Sequence, residues 1–248
     1  METILKTESL SKSFGALQAV LNVDLNVSKG TIHSIIGPNG AGKTTFFNLL
    51  TGFLQPSTGK IYFQGIDITT LQPYQISQLG IGRSFQITSI FPELTVHENI
   101  RIVLQSRTKS NYSVFNSMSR LSILQEKAQE ILERIGLEDK PDLLAKNLSH
   151  GEKRILDIGI GLASEPELLL LDEPASGLVG DEIARVTDLV RSISSYITIV
   201  LVEHNIDVVL SISNIITVLY YGEVIAEGKP EEIQNNEKVQ EIYLGDYQ

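Results

Sequence analysis

A glycine-rich loop between two apolar segments limits the possible folds more than any other feature of this chain. Residues 37–44 read Gly-Pro-Asn-Gly-Ala-Gly-Lys-Thr and match the phosphate-loop pattern G-x-x-x-x-G-K-[ST] at every fixed position. The run 31–36 before the loop is typical of a buried strand, and the apolar residues after it recur at helical spacing until Gly52. Strand, glycine loop and helix in this order predict an α/β core with a phosphate site at the start of the helix.

The loop also predicts the roles of its side chains. Backbone N–H groups of the loop would face the phosphates, and the Lys43 ammonium would meet the β- and γ-phosphates. The Thr44 hydroxyl would bind Mg²⁺. The predicted nucleotide-contacting residues of this segment are Gly37, Pro38, Asn39, Gly40, Ala41, Gly42, Lys43, Thr44 and Thr45.

Two carboxylates follow a run of four leucines and predict the chemistry of the site. The run 168–171 is too short to cross a membrane and suits a strand buried on both faces of a parallel sheet. At the carboxyl end of that strand, Asp172 would reach Mg²⁺ through water, and Glu173 would act as general base for an attacking water. The alternative is an ordinary acidic pair at a helix start before Pro174.

Composition narrows the class of partner. The chain has 248 residues and no cysteine, so disulfides and thiolate metal sites are excluded and a reducing compartment is expected. A formal net charge of −10 disfavours nucleic acid as a ligand. The amino-terminal residues resemble no secretion signal, and the longest apolar runs are far shorter than a membrane span. We expect a soluble chain that reaches a membrane only through a partner.

The order of predicted elements indicates one domain with two lobes. Residues 4–27 alternate like strands, whereas residues 93–163 are helical in character, and strands return afterwards. We predict a single domain over residues 1–248, in which 1–90 and 164–248 form the core and a β lobe. Residues 91–163 would then form a helical lobe.

The segment Leu148-Ser149-His150-Gly151-Glu152, followed by a helix and then by the leucine run and its acidic pair, resembles the ATP-binding subunits of ABC transporters. The resemblance covers nearly the whole chain. It implies a P-loop NTPase fold, with a RecA-like core, an antiparallel β subdomain and an inserted α-helical subdomain. It also implies that this signature segment caps the γ-phosphate held by the opposite subunit, so each ATP lies between two protomers. Ser149 itself is a plausible N-cap of the following helix.

Other positions gain a role only from the resemblance. Gln86 matches the glutamine that contacts Mg²⁺ and the attacking water and senses the membrane subunit, and His204 matches the histidine that contacts the γ-phosphate. Phe14 lies where the family stacks an aromatic ring on adenine, although it also fits a core position. The signature residues implied to contact nucleotide are Ser149, Gly151 and Glu152. His33 and His97 have no motif and are interpreted as structural.

Several residues depart from the usual family pattern. His150 and Glu152 stand where glycine and glutamine are commonest, and Glu152 should repel a triphosphate unless it faces a ribose hydroxyl or solvent. Val179 replaces an aspartate that helps to couple the two sites. Gly159 and Gly161 lie inside a predicted helix, where each costs about 1 kcal/mol relative to alanine, and close packing against a neighbour would explain them.

The segments around the motifs are similar to the ATPases of branched-chain amino-acid uptake, including residues 51–53, 82–86 and 91–96. Urea and short-amide importers share much of this pattern. The resemblance implies ATP and Mg²⁺ as cofactors, integral-membrane permease subunits, a second ATPase that is a sibling or a copy, and indirectly a solute-binding protein. The chain would lie in the cytoplasm, peripheral to the membrane. A soluble ABC ATPase of repair or translation, or a P-loop kinase, is a weaker alternative.

Overall fold

The computed structural model describes residues 2–84, 90–107 and 117–245, which form two sheets and a set of helices. In chain order the elements are β1 (Thr3–Phe14), β2 (Leu17–Ser28), β3 (Ile32–Ile36), α1 (Lys43–Leu50), β4 (Thr58–Phe63), β5 (Ile66–Asp67), α2 (Pro73–Leu79), β6 (Ile81–Arg83), α3 (Val96–Ser106), α4 (Ser117–Ile135), α5 (His150–Ala163), β7 (Leu168–Asp172), α6 (Asp181–Ile193), β8 (Thr198–Val202), α7 (Ile206–Ile212), β9 (Ile215–Tyr220), β10 (Glu223–Gly228), α8 (Pro230–Gln234) and α9 (Glu237–Gly245). None of the helices in these ranges is long and apolar enough to cross a membrane.

A six-stranded sheet positions the predicted site. Its strand order is β10-β9-β3-β8-β7-β6, and every pair is parallel except β9 with β10. Each residue of β3, β7 and β8 is buried, which explains their continuous apolar sequences. In register, Val202 pairs with both Ile35 and Asp172. The carboxyl ends of three neighbouring strands therefore meet at one edge of the sheet, as the sequence predicts.

A second sheet packs over the first and encloses α1. It is antiparallel, with the strand order β2-β1-β4-β5. Phe46 and Phe47 of α1 are fully buried in one core with Leu5 and Phe63 of this sheet and Leu170 of the central sheet. Because both aromatic side chains are buried against residues of the two sheets, α1 is held in place at the end of the phosphate loop.

Helices α3, α4 and α5 share a second core, and α5 also contacts α6, β6 and β7. A Cβ on Gly159 would lie 2.6 Å from Ile135 Cδ1, and one on Gly161 would lie 2.9 Å from Leu169 Cδ1. The prediction of close packing at both glycines is confirmed. Helix α4 ends at Ile135, directly before Gly136, which has φ of 70°.

Candidate functional site

The phosphate loop connects β3 to α1, and its lysine side chain folds back onto the backbone of the loop. Lys43 Nζ donates to the carbonyl oxygens of Gly37 at 2.6 Å and Pro38 at 2.9 Å. The Lys43 side chain is buried, and this burial lowers its pKa while the carboxylates of Glu173 and Asp172 oppose the shift. The predicted lysine thus lies in the field of both predicted carboxylates.

Two glycines of the loop are required by contacts with distant strands. A Cβ on Gly37 would lie 2.2 Å from the carbonyl oxygen of Leu219, and one on Gly42 would lie 2.2 Å from that of Ala19. Gly42 also has φ of 96°, a conformation that favours glycine. The Gly222 N–H donates to Ala41 O at 3.0 Å. Strands from both sheets therefore shape the loop.

Phe14 lies at the end of β1 and is 47% exposed, so the alternative interpretation as a core residue is wrong. Lys12 Nζ lies 5.2 Å from the centroid of its ring. An exposed aromatic ring beside a cation can stack on an adenine base. The role that the family resemblance implies for Phe14 therefore stays a prediction.

Asp172 ends β7 and is almost completely buried at 1% exposure. Its Oδ2 lies 3.5 Å from Arg83 Nη2, while its Oδ1 has no hydrogen-bond partner among the described residues. Burial raises the pKa of Asp172, and the Arg83 guanidinium opposes that shift. A buried carboxylate oxygen without a partner suits a ligand of Mg²⁺ or of its water shell. No cluster of three or more His, Cys, Asp or Glu within the described ranges could hold a metal alone.

Glu173 has a left-handed backbone with φ of 48°, which is uncommon for a residue other than glycine. Its N–H donates to Val202 O at 2.8 Å, and its Oε2 lies 3.9 Å from Nδ1 of His204. The predicted base and the predicted γ-phosphate contact are therefore neighbours. Gln86 lies outside the described residues.

Sequence reasoning did not identify Glu203, which is fully buried between these groups. Its Oε1 accepts from the Ala175 N–H at 2.7 Å, and its Oε2 accepts from the N–H groups of His204 at 3.0 Å and Asn205 at 3.3 Å. The carboxylate ties the loop after β7 to the loop after β8. Its only sequence signal was its place beside His204.

Arg154 of α5 was also missed, although it contacts the segment that carries Asp172 and Glu173. Its guanidinium is buried and donates to the carbonyl oxygens of Asp172, Glu173 and Pro174. A basic residue inside the apolar stretch of α5 was the available signal.

Ser149 caps α5, as predicted. Its Oγ accepts from the Glu152 N–H at 3.2 Å, while Glu152 Oε2 accepts from the Ser149 N–H at 2.9 Å. Glu152 Oε1 pairs with Lys140. Hydrogen bonds from Lys140 and Ser149 lower the pKa of Glu152. Its carboxylate is therefore engaged within its own chain rather than with solvent.

The remaining signature residues contact the segment that follows Glu173. The Gly151 N–H donates to Glu182 Oε1 at 3.2 Å. A Cβ on Gly177 would lie 3.1 Å from His150 Cε1, so the ring of His150 covers that glycine. Val179 is 74% exposed. Among the described residues, none of the recorded hydrogen bonds or ion pairs joins this signature segment to residues 37–44.

Within the described ranges, the hydrogen bonds of the other two histidines do not reach the predicted site residues. His33 is buried in β3, with Nε2 2.7 Å from Thr217 Oγ1. The N–H of His97, in α3, donates to Pro141 O at 3.0 Å. Both positions agree with the structural interpretation.

Two known families match different parts of the chain. The family described as ABC transporter matches residues 20–176, and that described as branched-chain amino acid ATP-binding cassette transporter matches residues 223–247. The probable branched-chain amino acid transport ATP-binding protein LivG of Archaeoglobus fulgidus is 40% identical over 98% of this chain and 95% of its own. The high-affinity protein LivG of Escherichia coli is 37% identical over 99% of both.

Solved structures agree with the fold. The ADP conformation of MJ1267, an ATP-binding cassette of an ABC transporter, has a TM-score of 0.88 at 34% identity, covering 99% of this chain and all of that one. A dimeric post-hydrolysis state of the cassette MJ0796, bound to ADP and Pi, has a TM-score of 0.78 at 27% identity, covering 92% of this chain and 99% of that one. The fold expected from the sequence is confirmed.

Proposed function

Because the chain belongs to the ABC transporter family, we propose that it is the ATP-binding and hydrolysing subunit of an importer for branched-chain amino acids. The full-length similarity to proteins named for branched-chain amino acid transport carries this proposal. The match of the carboxyl-terminal segment to the branched-chain family supports it independently of the nucleotide motifs. These names favour amino acids over the urea or short-amide alternative.

ATP binding would open the closed phosphate loop. The Lys43 ammonium would exchange the carbonyl oxygens of Gly37 and Pro38 for phosphate oxygens, and the N–H groups of the loop and of the first turn of α1 would face the same anion. The Phe14 ring would stack on adenine, and Thr45 would contact phosphate beside Thr44.

Thr44, Asp172 and Gln86 would hold Mg²⁺. The unpartnered Oδ1 of Asp172 fits this role, because a buried carboxylate oxygen needs a cation or a water as partner. When bound, the ion neutralises phosphate charge that develops during transfer.

Hydrolysis would use Glu173 and His204 on the γ-phosphate side. Glu173 would accept a proton from water as the water oxygen bonds to the γ-phosphorus and the bond to the bridging oxygen breaks, giving ADP and inorganic phosphate. His204, 3.9 Å from the Glu173 carboxylate, would donate to a γ-phosphate oxygen.

Two chains would complete two sites. Ser149 and Gly151 of one protomer would cap the γ-phosphate of the other. Glu152 would lie beside that nucleotide, held in place by its capping-box hydrogen bonds with Ser149. The similarity to a dimeric cassette supports this arrangement. The partners would be a second ATPase, permease subunits and, through them, a solute-binding protein, at the cytoplasmic face of the membrane.

A tagged chain purified from its native membranes tests the proposal. We expect permease subunits and a second ATPase to co-purify, whereas recovery of ribosomes or DNA instead would overturn the transport role.

In that preparation Glu173→Gln should keep ATP binding and lower hydrolysis by about 100-fold or more, because the base is lost. The exposed Glu223→Gln is the matched control. Unchanged turnover in Glu173→Gln would contradict the general-base role.

A further inference from the structure

Arg154 is a buried cation whose side chain contacts the backbone around Glu173. Only 6% of the residue is exposed, and its guanidinium faces the carbonyl groups of three consecutive residues, the first of which is the last residue of β7. Nη2 donates to Asp172 O at 2.7 Å and to Glu173 O, and Nε donates to Pro174 O at 3.1 Å. A planar fork of donors suits such a run of acceptors better than the single nitrogen of an ammonium group does.

The charge of this guanidinium is compensated within its own helix. Asp157 Oδ2 lies 3.9 Å from Arg154 Nη1, and its side chain is 1% exposed. Buried charges persist when they are paired and hydrogen-bonded. Nε and Nη2 of Arg154 are directed to the loop.

The loop that Arg154 holds contains a strained residue. The left-handed backbone of Glu173 is strained for a residue other than glycine and persists only where the surroundings determine it. Arg154 binds the carbonyl side of this loop, while Glu203 binds its amide side at Ala175. Two buried charges on opposite sides therefore fix the direction in which the Glu173 side chain leaves the backbone.

We infer that Arg154 is a positioning residue for the proposed hydrolysis, which it supports by holding the backbone of Glu173. The inference rests on the proposed role of Glu173 as general base. Arg154 lies on the helix that begins at Ser149, so α5 would serve two sites. Its first turn would contact the nucleotide of the partner, and Arg154 would hold the base of its own site.

Kinetics of Arg154→Lys and Arg154→Met in the co-purified complex test the inference. We expect kcat to fall by about 10- to 100-fold, because small displacements of a catalytic group are costly, while KM and ATP affinity change by less than about twofold. Lys127→Met, on an exposed residue of α4, is the control and should retain its kcat. Arg154→Lys carries the test if Arg154→Met fails to fold.

Combination with other substitutions separates positioning from general damage. In the Glu173→Gln background, Arg154→Lys should change residual single-turnover hydrolysis by less than about twofold, because no base remains to be positioned. In the His204→Ala background it should lower hydrolysis by its full factor. Equal losses in both backgrounds, or a kcat of Arg154→Lys within about twofold of the original chain, would overturn the inference. Failure of Glu173→Gln itself to lower hydrolysis would instead refute the proposed general-base role of Glu173.

Discussion

Replacing Glu203 by glutamine tests whether this buried carboxylate organises the loops around the site. The substitution keeps size and shape, but one of the two oxygens becomes an NH₂ group that faces backbone N–H donors. Either the bond from Ala175 at 2.7 Å is lost, or those from His204 at 3.0 Å and Asn205 at 3.3 Å are lost. Each charge-assisted bond is worth about 1.5–3 kcal/mol, and the neutral amide is easier to bury than the carboxylate.

The net loss of unfolding free energy should be about 2 kcal/mol, which corresponds to a fall in Tm of about 4–8 °C for a chain of this size. Urea unfolding at pH 7, followed by circular dichroism, measures the loss. The exposed Glu223→Gln again serves as control. The rate of ATP hydrolysis should fall in the same variant. ATP affinity should not fall, since the phosphate loop does not contact Glu203. An unfolding free energy within about 0.5 kcal/mol of the original chain would show that these bonds do not organise the loops.

Two further predictions concern charge. Burial lowers the pKa of His33 to about 4, below its unfolded value of about 6.5. The unfolded chain therefore binds this proton first, and stability should fall by up to about 3 kcal/mol as pH drops from 6.5 to 4. Denaturation midpoints across this range should vary less in His33→Gln, and an equal slope in both chains would refute the assignment. Lys140→Met removes the cation paired with Glu152 and should raise the ATP concentration needed for dimer formation, most strongly at low salt. Light scattering measures this shift, and Lys146→Met, which breaks an exposed pair with Glu93, should leave it unchanged.

The sequence predicted those parts of the fold whose cause is local or periodic. The glycine loop, the all-buried leucine strand and the cap at Ser149 each follow from short-range chemistry, and each lies where the pattern predicted. Parallel pairing then brings Asp172 beside Val202, so the edge of the sheet that carries the carboxylates was predictable as well. The family resemblance drawn from the signature segment is confirmed by full-length similarity.

Residues that act on distant backbone atoms could not be predicted in this way. Arg154 and Glu203 bind backbone carbonyl and amide groups of the loop after β7. The side chains of that loop give no sign of these bonds, because its backbone groups do not depend on residue type. Glu152 illustrates the converse. Its charge predicted repulsion of a triphosphate, but Lys140 lies twelve positions earlier and is brought to it only by the fold. The lobe boundaries and the roles of the individual site residues stay predictions.

The contact between Gly37 and Leu219 has a consequence for the order in which the protein matures during synthesis. The loop that would receive phosphate is encoded early, yet its shape depends on a carbonyl group and a glycine N–H that are translated some 180 residues later. A nascent chain that has not passed Gly222 therefore lacks part of the wall of its own nucleotide site. Nucleotide should meet a finished loop only after the last strands have left the ribosome, when the whole domain can fold as a unit.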